Sequence, residues 1–147
     1  MNRRRAAGPA ALVLAASILA SCSAPTPEPT TPPDAADPAE VCTEWADIET
    51  IIINAGSAFR DERTEEQEYQ GWLRLAARAL SRIDADSSTS LGAAIAAAQA
   101  AAPAVPIGRV GDDFDPLSPE WTTASVAVRD ACEAEGFPPV GEGFSGG

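Results

Sequence analysis

The chain has 147 residues with 10 Arg plus Lys against 22 Asp plus Glu, a formal net charge of −12, and neither lysine nor histidine. That balance excludes nucleic acid and anionic lipid surfaces as favourable partners. Without histidine or lysine, imidazole general-base and Schiff-base chemistry have no residues to work with, and zinc sites are not expected if the cysteines are paired.

The N-terminal segment has the pattern of a targeting signal. Arg3, Arg4 and Arg5 form a basic start, and Ala10 to Ala20 is an uncharged apolar run. That run is about half the roughly 20 residues a membrane-spanning helix needs. Leu19, Ala20, Ser21 and Cys22 close it and resemble the lipobox of bacterial prolipoproteins. The resemblance covers only the first 22 residues. It implies a diacylglycerol thioether on Cys22, cleavage of residues 1–21, and a membrane-anchored protein facing the extracytoplasmic side. Cleavage would leave seven basic residues against 22 acidic ones, a net charge of −15. The lysine-free, alanine-rich remainder looks like the small acidic helical lipoproteins of GC-rich Gram-positive bacteria, with no motif that names a subfamily.

With Cys22 assigned to lipid, Cys42 and Cys132 remain as a pair. An exported chain meets an oxidising compartment, so a disulfide is expected. A bridge closing about 90 residues stabilises by about 4–5 kcal/mol in the chain-entropy description.

Residues 22–37 carry Pro25, Pro27, Pro29, Pro32 and Pro33 among Thr, Ala, Glu and Asp. Such a composition cannot bury a core and is expected to be a disordered, extended stalk, reaching roughly 45 Å in polyproline II geometry. A helical domain is expected over 38–139. Asp37 caps its first helix, Pro38 suits the first turn, and Val41, Trp45, Ile48, Ile52, Ala55 and Phe59 form an apolar stripe at helical spacing. Thr64 is the expected cap of a second helix with the stripe Tyr69, Leu73, Ala76, Leu80 and Ile83, broadened by Trp72, Leu75 and Ala79. Ser88 or Ser90 would cap a short third helix through Leu91, Ile95 and Ala98, stopping at Pro103. Residues 103–117 are a loop whose Val105, Ile107, Val110 and Phe114 are expected to pack inward. Ser118 with Pro119 opens a fourth helix through Trp121, Ala124 or Ser125, Val128 and Cys132, and Gly136 ends it. Residues 140–147 are expected to be a disordered tail. The fold class is therefore all-α: a small antiparallel bundle of three or four helices with one disulfide.

Candidate sites are few. Arg74, Arg78 and Arg82 recur every fourth residue and could form an anion-binding stripe, although intramolecular ion pairs are the simpler expectation. Asp112, Asp113 and Asp115 are a weak calcium candidate lacking EF-hand spacing. Trp45, Trp72 and Trp121 lie on or beside apolar stripes, so core packing is expected before sugar stacking. Glu40, Glu44 and Asp47 form the wet side of the first helix. No catalytic residue and no cofactor is indicated. The expected role is a non-catalytic interaction or binding module, with an envelope protein or wall polymer as partner. The alternatives are an accessory ligand-binding lipoprotein for a transporter or wall polymer, and a carboxylate-dependent hydrolase using two converging acids.

Overall fold

The computed structural model describes residues 36–106, 109 and 114–144. The lipobox ending at Cys22, and the proline-rich segment apart from Ala36 and Asp37, lie outside the described residues. So do Ile107, Val110, Asp112 and Asp113. The described residues form four helices and no strand: α1 (Pro38–Arg60), α2 (Glu66–Leu80), α3 (Ser90–Ala101) and α4 (Pro119–Ala134).

Helix boundaries follow local chemistry. Asp37 is extended and accepts the Ala39 N–H at 3.0 Å, with Pro38 at the first helical position. Ser118 does the same for α4 through Trp121 N–H at 3.2 Å. The other two starts differ by one residue from expectation. Glu65, not Thr64, is the extended residue before α2, and Thr89, between the two expected serines, caps α3 by accepting the Gly92 N–H. The reason at α2 is the preceding turn. Arg63 N–H donates to Ala58 O and Glu62 N–H to Phe59 O, with Glu62 at φ 57°, a Schellman closure that consumes residues through 63. α4 ends in the same motif, with Gly136 at φ 88° and Phe137 N–H donating to Cys132 O at 2.9 Å.

α1 packs on α2 and α3 on α4, making two helical hairpins. Gln99 on α3 ties them by donating to Leu80 O and Ile83 O, both at 3.0 Å, in the turn that follows α2, where Leu80 O also accepts the Ile83 N–H. Gly92 lets α3 begin directly under the Asp86 carbonyl, a space that a β-carbon would fill. Between the hairpins lies a continuous core. Trp45, Ile48, Leu73, Leu80, Ile95 and Val128 are fully buried, each contributing roughly 2 kcal/mol by apolar transfer. Phe114 from the long loop is also buried, with its ring 5.0 Å from Trp121, which in turn lies 5.6 Å from Trp45. Cys42 and Cys132 are bonded, with Cα atoms 5.8 Å apart, joining the first turns of α1 to the last turns of α4. The pairs Cys42–Cys132, Glu49–Arg129 and the Ile53–Trp121 neighbourhood run in opposite residue order, so α1 and α4 are antiparallel.

The segment after α4 departs from expectation. Residues 141–144 are not a loose tail; they lie along α1, hydrogen-bonded to Thr50 and Asn54.

Candidate functional site: the groove between α1 and α2

α1 continues well past the disulfided turn, and its later half is only partly covered by α2. The residue types alternate there between apolar and small polar groups. Ile51, Ala55 and Ala58 face one side of a groove that Trp72 borders from α2. Thr50, Asn54, Arg63, Thr64 and Glu68 complete the walls, and Phe144 approaches from the segment after α4. The groove has a volume of about 480 Å³. Trp72 remains 44 % exposed and Phe144 63 % exposed. Trp72 was expected in the core; of the three tryptophans only Trp45 and Trp121 are buried. The stripe of α2 is centred on Leu73, Ala76 and Leu80, which leaves Trp72 and Leu75 at its open edge. At the upper end Phe59 and Tyr69 stack at 4.6 Å and 8°, closing α1 onto the start of α2. Burial raises the Tyr69 pKa, Asp115 adds to that, and Arg60 opposes it.

Beside the groove, on the other flank of the 141–144 segment, is the one buried charge among the described residues. Glu49 is 4 % exposed, and Arg129 Nε donates to its Oε1 at 2.6 Å. Burial raises the Glu49 pKa above 4.5, and the hydrogen bond and charge of Arg129 offset only part of that. The Trp45 indole N–H pulls in the same direction as Arg129, although it lacks hydrogen-bonding geometry. Sequence reasoning passed over Glu49. Its signal was a carboxylate four residues after Trp45, in register with the apolar stripe.

The sequence candidates fare differently. Arg78 and Arg82 form no ion pair with another described residue. Arg74 is exposed, is not free of partners, and borders a narrow cleft with Ala77, Pro103, Val105 and Phe114. Asp115 accepts the Leu117 N–H at 2.8 Å in a turn, while its two expected companions lie outside the described residues. No group of three acidic or cysteine side chains suited to a metal is found among the described residues. Glu40, Glu44 and Asp47 are exposed as expected. Among the described residues, the α1–α2 groove, the α3–α4 cleft and the small cleft beside Arg129 are each lined by a single carboxylate, Glu68, Glu120 and Glu49 in turn. No described helix is long and apolar enough to cross a membrane.

Comparison with protein families, with curated proteins and with solved structures finds no match to this chain.

Proposed function

We propose that this chain is an extracytoplasmic lipoprotein, tethered through Cys22, whose helical domain is a non-catalytic binding module for a partner polypeptide in the cell envelope. The observation that carries the reading is the α1–α2 groove: about 480 Å³, largely apolar in its walls, with a large aromatic residue left exposed at its edge. Exposed aromatic groups in a concave surface are the usual anchors of recognition. Support for the tether comes from Leu19 to Cys22 behind a basic start. The disulfide supports the oxidising side of a membrane.

A photo-cross-linking side chain placed at position 72, and as a control at position 44 on the exposed face of α1, tests this in living cells. The expected result is a discrete adduct from position 72 and none of that mass from position 44. Equal labelling from both positions, or none from 72, would contradict the reading. An affinity tag belongs ahead of α1, because the chain's end touches the groove.

A further inference from the structure

The final described residues are held against α1 almost wholly through their backbone. Glu142 N–H donates to Thr50 Oγ1 at 2.9 Å, Asn54 Nδ2 donates to Glu142 O at 2.7 Å, and Phe144 N–H donates to Asn54 Oδ1 at 2.7 Å. Thr50 and Asn54 stand one helical turn apart, so they meet successive main-chain groups of a strand-like segment. A carboxamide that gives and takes in this way imitates one side of a sheet edge, the means by which extended peptides are captured irrespective of most side chains.

Only two positions of the segment are constrained. A β-carbon on Gly141 would stand 2.8 Å from the flexible terminal methyl of Ile53 and 3.3 Å from Glu49 Cβ, so glycine fits that approach best and any larger residue requires both neighbours to shift. At Gly143 the nearest atom, Ile53 Cγ2, would be 3.9 Å away, an ordinary contact that other residues tolerate. Glu142 is exposed, and the Phe144 side chain lines the groove near Trp72. The surface therefore favours glycine at the first position, leaves the side chains of the next two free, and offers the groove wall to an aromatic ring at the fourth.

We propose that the α1–α2 groove is a peptide-binding site. It takes, from a partner protein, an extended segment of the pattern glycine–x–x–aromatic, and residues 141–144 of this chain are its resident competitor. This rests on the binding-module reading above and names the ligand class. The resident segment is suited to displacement. Its three bonds are solvent-exposed, Phe144 is 63 % exposed, and about 480 Å³ remains open beside it. A better-fitting aromatic side chain can use that space, whereas the resident tail relies on a tethered effective concentration on the order of millimolar.

The test uses the full chain and a variant, Glu142→Pro, which deletes the N–H donated to Thr50 while leaving the helices untouched. A peptide with the sequence of residues 139–147 is titrated into each, followed by NMR of the backbone and Trp indole N–H signals. The expected result is at least about tenfold tighter binding to Glu142→Pro than to wild type, since the tethered competitor is removed. Shifts should centre on Thr50, Asn54 and Trp72. Adding Asn54→Ala to that background should abolish binding, and a peptide with Ala in place of the aromatic residue should bind about tenfold more weakly. Phe144→Ala in the full chain serves as a second way of loosening the resident segment. Equal affinity for wild type and both loosened variants, or binding indifferent to Asn54→Ala, would overturn the proposal. If the peptide fails to bind while the position-72 adduct persists, the peptide assignment falls and the binding module stands. Loss of both removes both.

Discussion

Glu49 shows how much a single residue of this protein depends on partners far away in sequence. Gly141 packs beside its Cβ and Arg129 meets its carboxylate, 92 and 80 residues later. Its folded pKa is raised above 4.5 chiefly by burial, so the folded protein holds that proton more tightly than the unfolded chain. The linked stability is thus fully present below the unfolded pKa and is lost as pH rises through the folded value. Glu49→Gln should remove this slope and leave stability at neutral pH within about 1 kcal/mol of wild type. Arg129→Met should be worse at neutral pH, by about 1–3 kcal/mol, because it strands a buried carboxylate; the half-exposed guanidinium keeps the loss below that of a fully buried pair. The gap between the two variants should narrow as pH falls toward 4.5. Urea melts of the three proteins across that range check the order and the sign. Locally, Glu49 is marked only by a charge on an apolar register; the compensating groups come from tertiary structure.

Among the elements, the starts of α1 and α4 were legible because Asp37–Pro38 and Ser118–Pro119 each combine a cap with a residue that fits only the first turn. The starts of α2 and α3 were each displaced by one residue, where several small polar residues compete and the preceding turn decides. Periodicity located the centre of each apolar stripe, but not how much of its edge a neighbour would cover. Trp72 and Leu75 are open, at 44 % and 39 % exposed, for that reason. The cysteine pair was legible by elimination, and its position explains its weight. The contact between α1 and α4 is thin compared with those inside each hairpin, so the bond stitches the two hairpins at one end. Replacing Cys42 and Cys132 by Ala should lower stability by about 4 kcal/mol. Wild type held in reductant should melt alongside the double variant. Superimposable melts of the oxidised and reduced protein would contradict that role.

At the scale of the whole molecule, an all-α bundle with one disulfide followed from stripe spacing and cysteine count. What did not follow was the end of the chain. Residues 141–144 are rich in glycine, which in isolation signals disorder; here the missing side chain at Gly141 permits close approach to α1, and the backbone is satisfied by Thr50 and Asn54. The groove was also hidden, since it forms where two helices and this segment meet. An acidic domain with a filled core and an open apolar groove beside residues 141–144 is coherent with the proposed binder. The most direct test is the effect of Trp72→Gln on partner capture and on the melting temperature, measured on the same preparation. The account predicts that capture from living cells is lost while the melting temperature stays close to wild type, because Trp72 lies outside the core. Undiminished capture by the variant, or capture lost only in proportion to lost stability, would contradict it.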